Sequence, residues 1–375
     1  MNSVANISPS RNGRGFALSK LGAFFAPNSY LHTHFNFLLR EINPALSLNA
    51  LMAQVVAVIP ETADTHSYVL RPPRRWQGFT AGMHIPITVE INGVLTRRTY
   101  TISSTPEQYQ RQGTIAITVK RLAGGRLSSQ LFKHLNVGQW LEIGEAIGEF
   151  TLDKAVSEKV LFLAAGSGIT PFFSMLNSHL KISTSTDITL MYYCRRQDEV
   201  IFAQQLAKLA KAYSHFTLVP IFADTEGRID AIHLLKHCPD VAHRDVFVCG
   251  PEGFMARATT LLHQQGVTQR QIFQESFGHR LSPVNLQTST TTGEVSFSKS
   301  TVRIESDGKK TILELAELAG LTPKYGCRSG ICHECKCTKK SGQVVDYRNG
   351  KKSNLDTEEI QICVSIPHGV VEIAW

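Results

Sequence analysis

From Leu51 to about Thr151, apolar side chains recur at alternate positions in short runs set apart by turn residues. The runs are Ala53–Ile59, His84–Ile91, Thr114–Arg121 and Trp140–Ile143. Successive side chains of a strand point to opposite faces, so this alternation marks strands with one buried face. Several such strands at short spacing predict a small antiparallel β-barrel. The pattern changes between Lys159 and Phe277. Val160–Ala165, Ile188–Tyr193, Thr217–Ile221 and Val246–Cys249 are apolar runs, and helical stretches at 171–179, 198–212 and 251–265 separate them. Buried strands alternating with helices predict βαβ units and a parallel sheet. A Ser/Thr-rich stretch from Leu286 to Gly293 reads as a linker. Beyond it, short strands surround a helix at about 311–319, the pattern of a β-grasp fold. Residues 1–50 are irregular, with one short helix expected near Tyr30–Ile42. The chain is therefore expected to be multidomain: an N-terminal extension (1–50), an antiparallel β-barrel domain (51–152), an α/β parallel-sheet domain (153–280), a linker (281–293) and an α+β β-grasp domain (294–375).

Composition fits this division. A chain of 375 residues, 42% hydrophobic and 19% charged, is long enough for two to three cores. It holds no apolar run long enough to cross a bilayer, and Leu21–Ala26 is too short, so no membrane span is expected. With no targeting segment, a cytoplasmic location is the default expectation. The net charge of +8 could serve nucleic acid, an anionic membrane face or an acidic partner. No dense basic stripe interleaved with aromatics is present, so nucleic acid is not expected. Arg71, Arg74, Arg75, Arg97 and Arg98 fall in one early region, where phosphate binding is the economical explanation. Residues 294–375 carry 12 Lys/Arg against 11 Asp/Glu and are close to neutral.

The cysteines change the picture most. Cys327-Arg-Ser-Gly-Ile-Cys332-His-Glu-Cys335 is followed 28 positions later by a lone Cys363. The spacing C-x4-C-x2-C with one distant cysteine is the plant-type ligand set of a [2Fe–2S] cluster. Gly326 and Gly330 would let the loop curl and aim N–H groups at the sulfurs. A zinc site usually pairs two short ligand units, which fits these cysteines poorly. A disulfide framework fits worse in a long chain without a secretory signal. Cys337 could compete as a ligand, but the motif is complete without it; it reads as a buried or flanking thiol. Cys194, Cys238 and Cys249 are scattered and read as core residues, with Cys249 also at the edge of a candidate nucleotide site.

Nucleotide chemistry is expected upstream. The strand ending at Ala165 runs into Gly166-Ser-Gly168-Ile-Thr170-Pro171 and a helix. Glycines at such a turn let the backbone approach a pyrophosphate, and the helix N-terminus offers N–H groups. Cys249-Gly250-Pro closes another strand at the same sheet edge, and Arg195 and Arg196 sit where an adenosine ribose or its 2′-phosphate could lie. In the barrel, Arg98-Thr-Tyr100-Thr101 suits a flavin, with phosphate on Arg98, the ring packed by Tyr100 and the Thr101 hydroxyl near the reactive nitrogen. Gly125 and Ser128 open a helix that could take the second phosphate of FAD.

Together these motifs resemble the ordered fingerprints of the ferredoxin–NADP(+) reductase superfamily, fused to a plant-type ferredoxin. Thr101 stands where the family more often has Ser, which keeps the hydroxyl. The resemblance implies a flavin, NADPH or NADH, and a [2Fe–2S] cluster held by Cys327, Cys332, Cys335 and Cys363. It places Glu275 and Phe277 near the flavin ring, and Tyr100, Thr101 and Glu275 as the catalytic set. Gly124–Ser128 and Ile147–Phe150 resemble the branch that uses FAD rather than FMN. Arg195 and Arg196 favour NADPH. Leu70–Met83, Val89–Gly93 and the lead-in Asn43–Ser47 are similar to bacterial reductases serving acyl-CoA or fatty-acid desaturases. The expected acceptor is therefore a membrane-bound desaturase, reached from the inner membrane face. The alternatives are a soluble oxygenase or hybrid-cluster protein as acceptor, and a non-catalytic redox sensor.

Overall fold

The computed structural model describes residues 47, 48, 50–91, 94–277, 292–325, 330, 335–347 and 350–375. The helix expected at Tyr30–Ile42, most of the linker, and the ligand candidates Cys327 and Cys332 lie outside the described residues.

Six antiparallel strands form the first sheet: β1 (Leu51–Thr62), β2 (Thr65–Arg71), β3 (His84–Ile91), β4 (Val94–Thr101), β5 (Ile115–Lys120) and β6 (Trp140–Ile143). Their order is β4-β3-β6-β1-β2-β5, and a bridge between Ile102 and Ile117 joins the two edges into a barrel. Tyr68, Leu70, Ile85, Ile87, Ile115 and Ile117 fill it and are fully buried. Two helices, α1 (Pro106–Gln112) and α2 (Arg126–His134), lie in its connections. Strand β2 did not stand out in the alternation because both of its faces are buried: Tyr68 and Leu70 point into the barrel, and polar Thr65 and Ser67 lie on the opposite, also covered, face. The Ser67 hydroxyl is satisfied there by Glu61 Oε1 at 2.7 Å and Thr118 Oγ1 at 2.8 Å.

The Arg-Pro loop after β2 closes the barrel. Arg75 donates to the carbonyls of Ser47, Leu48 and Ala50 at 2.8, 3.1 and 2.7 Å, pinning the chain just before β1. Trp76 is buried, its indole N–H on Gly144 O at 3.1 Å, with Tyr109 packed edge-on at 4.9 Å. The grouping of Arg75 with phosphate-binding arginines is thereby corrected. Its donors are taken by backbone carbonyls.

The second sheet is parallel, ordered β11-β10-β7-β8-β9. Its strands are β7 (Lys159–Ala165), β8 (Asp187–Cys194), β9 (Phe216–Phe222), β10 (Asp245–Cys249) and β11 (Ile272–Glu275). Five helices accompany it: α3 (Ile169–His179), α4 (Ala203–Ala212), α5 (Ala223–Glu226), α6 (Ala231–His237) and α7 (Glu252–Gln264). The helix expected over 198–212 starts only at Ala203. Ile201 and Phe202 are drawn into the core, Phe202 with a φ of 61°, and the Tyr192 hydroxyl accepts from Ile201 N–H at 3.3 Å. Burial of two large apolar groups here outweighs helical continuity.

Barrel and parallel sheet share a junction. Phe150, at the end of the barrel segment, is buried in the core of the second sheet, 5.7 Å from Phe172 and 5.5 Å from Phe247. Gly82 has a φ of +102°, and any Cβ there would collide with the Phe150 carbonyl and crowd the Met175 methyl. The Ser174 hydroxyl donates to Ser104 O across the junction at 2.6 Å.

The third sheet, ordered β13-β12-β16-β14-β15, is mixed, with β12 parallel to β16 and the other pairs antiparallel. Its strands are β12 (Gly293–Phe297), β13 (Val302–Ser306), β14 (Lys336–Asp346), β15 (Glu358–Gln361) and β16 (Ser365–Ile373). Helix α8 (Ile312–Leu318) packs on it, begun by a reciprocal capping box of Thr311 and Glu314. Its core includes Val295, Phe297, Ile312, Leu315, Val371 and Ile373. Lys339 is fully buried, its ammonium on the carbonyls of Asn354 and Asp356 at 2.9 and 2.5 Å.

Removing Phe150 leaves a cavity in a core that belongs to the neighbouring sheet. Phe150→Ala is expected to lower stability by about 3 kcal/mol in urea unfolding followed by circular dichroism. A loss below about 1 kcal/mol would show that the ring does not hold the junction.

Candidate functional site

Strand β4 carries Arg98 and Tyr100 two residues apart, hence on one face, and ends at Thr101. Arg98 Nη1 donates to Arg97 O at 2.7 Å. Burial pushes the Tyr100 phenol well above its usual range, against the opposing pull of the Arg98 charge, so Tyr100 stays a neutral donor. The Thr101 hydroxyl is buried with no hydrogen-bond partner among the described residues. Opposite Thr101 in the β3–β4 register stands His84, which sequence reasoning missed as a site residue. Its Nδ1 lies 3.0 Å from Oε1 of Glu275, the last residue of β11, and both side chains are almost wholly buried.

His84 Nε2 and Glu275 Oε2 are likewise buried and unpartnered among the described residues. Unsatisfied buried polar atoms cost about 1–3 kcal/mol each. Three of them converging from two sheets call for a polar ligand edge. The isoalloxazine ring of a flavin, with alternating N–H and carbonyl groups, supplies such an edge, so the residues fit the group. The one sequence signal for His84 was its place as a lone histidine opening a strand of recurring apolar residues.

Helix α2 begins after Gly125, its N-cap, and its first N–H groups lack intrahelical partners by construction. These could receive a phosphate. The Ser128 hydroxyl turns back to accept from Leu122 N–H at 3.3 Å, and a Cβ on Gly125 would lie 2.5 Å from it. Ser128 therefore shapes the turn, and Gly125 is small because that hydroxyl occupies the space.

At the parallel sheet the two glycines divide their work. Gly166 has a φ of +55° with nothing within 4 Å of a would-be Cβ, which leaves room for a pyrophosphate. Gly168 is different: a Cβ there would strike the backbone of Cys249 and Gly250, so its close approach is to protein and not to ligand. Thr170 Oγ1 donates to Ser167 O at 3.0 Å and Tyr192 Oη to Gly166 O at 3.0 Å, fixing the turn. Pro171, third in α3, is buried where a helix needs no N–H donor. Cys249 is fully buried; burial first, and then the Glu275 charge beside it, push its thiol far up, which keeps it neutral.

Arg195 and Arg196 follow β8 and are not equivalent. Arg196 holds Asp198 with two contacts of 3.2 Å and approaches Glu199 at 3.8 Å. The Arg195 side chain is 74% exposed and, among the described residues, reaches Glu199 at 3.7 Å. Tyr193, also missed from sequence, packs 5.2 Å from Phe254, and its hydroxyl is buried without a partner among the described residues. Phe277 lies two residues beyond Glu275 and is 38% exposed, as a ring that covers a bound group would be.

In the third sheet Cys335 and Cys363 are buried in one core cluster. The Cys335 carbonyl accepts from Ile362 N–H at 3.2 Å, which brings the distant Cys363 beside the start of β14. Gly330 is buried with a φ of 72°. Cys337 pairs with Ile360 across β14 and β15, and burial pushes its thiol up to about 12. It packs on the core as a flanking thiol. Thiolates at the four positions would fit a [2Fe–2S] cluster, with two of them outside the described residues.

Comparison with known proteins agrees with this order. Residues 52–152 match the oxidoreductase FAD-binding domain, 162–260 the oxidoreductase NAD-binding domain and 296–368 the 2Fe-2S iron-sulfur cluster binding domain. The chain is 28% identical over 344 residues to an NADPH oxidoreductase of Mycobacterium tuberculosis, covering 92% of this chain and 87% of that one. It is 30% identical over 353 residues to the ferredoxin reductase component of 3-ketosteroid-9-alpha-monooxygenase from the same species, covering 87% and 96%. Among solved structures, phthalate dioxygenase reductase shares the fold, with a TM-score of 0.58 at 23% identity over 87% of this chain and 98% of that one. The chain belongs to the ferredoxin–NADP(+) reductase superfamily with a C-terminal [2Fe–2S] domain, and is an NAD(P)H-dependent flavin and iron–sulfur reductase.

Proposed function

We propose that this protein is the reductase component of an oxygenase. FAD, when bound, supplies the change from two-electron to one-electron chemistry, taking a hydride from NAD(P)H and releasing electrons singly to the cluster. The chain's own residues do the placing. Arg98 and the start of α2 hold the phosphates, Tyr100 packs the ring as a neutral phenol, and Thr101, His84 and Glu275 meet its polar edge. The turn at Gly166–Pro171 receives the dinucleotide, with Cys249 and Gly250 closing the floor and Phe277 covering the ring. Cys335 and Cys363, joined by Cys327 and Cys332, hold the cluster. The observation that carries this reading is the convergence of three orphaned polar atoms from barrel and parallel sheet on one junction.

An oxygenase as acceptor is supported by relatives that match over most of their length, a 3-ketosteroid-9-alpha-monooxygenase reductase component and glycine betaine monooxygenase reductase subunits among them. The desaturase expectation rested on Leu70–Met83, Val89–Gly93 and the lead-in Asn43–Ser47. Within Leu70–Met83, Arg75 and Trp76 are engaged in closing the barrel, and the relatives that match this chain include reductase components of oxygenases. No helix among the described residues is long and apolar enough to cross a membrane. For nucleotide choice, the better candidate to meet a 2′-phosphate is Arg195, a reading supported by its exposure and by the two contacts of Arg196 with Asp198.

Reconstitution separates the acceptors. With NAD(P)H, the protein should sustain substrate hydroxylation by a purified monooxygenase component and leave desaturase-containing membranes unstimulated; the reverse pattern would overturn the proposal. Arg195→Ala should lower kcat/KM for NADPH about tenfold, the loss of one charge-assisted phosphate contact, while NADH is little changed. Equal effects on both nucleotides would remove Arg195 from that role. Cys363→Ser should keep NAD(P)H-driven ferricyanide reduction within about twofold and cut transfer to the oxygenase about a hundredfold, with loss of the cluster's visible absorption.

A further inference from the structure

The His84–Glu275 contact joins two residues 191 positions apart, one from the barrel and one from the parallel sheet. Both are buried, at 4% and 7% exposure, where an ionised carboxylate needs a donor. The ring is itself built in. Backbone hydrogen bonds of 2.9 Å run both ways between His84 and Ile147, and a Cβ on Gly148 would lie 2.9 Å from the ring carbon Cε1 and 3.0 Å from Nδ1. Gly148, with a φ of 121°, thus leaves the space that the imidazole fills.

With Nδ1 donating to Glu275 Oε1, the second oxygen, Oε2, is the one left for a ligand. A carboxylate at a strand end with no second contact would swing among rotamers, and the unpaired oxygen would have no set direction. We propose that His84 is the positioning residue for Glu275. The imidazole holds one carboxylate oxygen and leaves the other, Oε2, as the free acceptor, and by spanning the junction it ties the seating of the parallel sheet against the barrel to that orientation. This deepens the functional reading and rests on the flavin lying at this junction. The other polar groups at the same place are the Thr101 hydroxyl, opposite His84, and the neutral Cys249 thiol, beside Glu275. The Thr101 hydroxyl has no hydrogen-bond partner among the described residues, so it does not substitute for the imidazole donor.

Two substitutions and one cycle test it. His84→Leu removes the donor; His84→Asn keeps an N–H near the position of Nδ1. In stopped-flow reduction of the bound FAD by NAD(P)H, without any acceptor, His84→Leu should slow the limiting rate about tenfold with nucleotide Kd nearly unchanged. His84→Asn should run at least about threefold faster than His84→Leu, because it restores the donor to Glu275 although it lacks Nε2. In FAD-free protein, the losses in Tm for His84→Leu and Glu275→Gln should not add, because both break one contact. A leucine variant as fast as the parent, an asparagine variant as slow as the leucine, or additive Tm losses would each overturn the proposal. Should the leucine variant lose FAD, the asparagine variant decides: near-parent rates support the donor role and a tenfold loss refutes it. Parent protein isolated without FAD would instead defeat the underlying placement of the flavin, and failure of any oxygenase to accept electrons leaves this half-reaction untouched.

Discussion

The contact on which the rest depends is the seating of Phe150 in the core of the parallel sheet, allowed by the bare backbone of Gly82. The ring is surrounded by Phe172, Phe162 and Phe247, so the last residue of the barrel segment is a core residue of its neighbour. Interiors packed at crystal-like density have little slack. Fixing Phe150 therefore fixes how the two sheets face each other. The start of β3 and the ends of β10 and β11 then meet, and Thr101, His84, Cys249 and Glu275 come together from four strands.

A second consequence is electrostatic. The junction buries polar atoms in a place that an apolar core would have made more stable, and it leaves several unsatisfied. Sites that bind cofactors accept that cost, since the ligand restores the missing hydrogen bonds when it arrives. The Tyr100 phenol and the Cys249 thiol, both pushed up by burial, stay neutral beside this junction. The third sheet has its own core and a nearly balanced count of charges, as suits a module that takes electrons from its own polypeptide.

Much of the architecture was legible in the chain. Buried runs such as Val160–Ala165 announced the parallel sheet, because only strands covered on both faces are apolar at every position. Where sequence reasoning failed, a polar residue was buried or a long-range contact overrode local preference. Thr65 and Ser67 hid β2 because they are buried on the face opposite the barrel interior, their hydroxyls held by Asp64 and by Glu61 and Thr118. Ile201 and Phe202 broke an expected helix because the core beneath Tyr192 claimed them. Arg75 looked like a phosphate ligand and proved to be a clamp on three carbonyls.

Motifs whose parts are close in sequence were therefore determined by the sequence itself: the cysteine spacing, the glycine turn after β7 and the Arg-x-Tyr-Thr strand. Each is a local arrangement, set by backbone geometry and a few neighbouring side chains. The pairing of His84 with Glu275 and the role of Gly168 against Cys249 were decided only by tertiary structure. These depend on contacts across many tens of residues, and no local pattern encodes a distance between strands that the chain brings together only on folding.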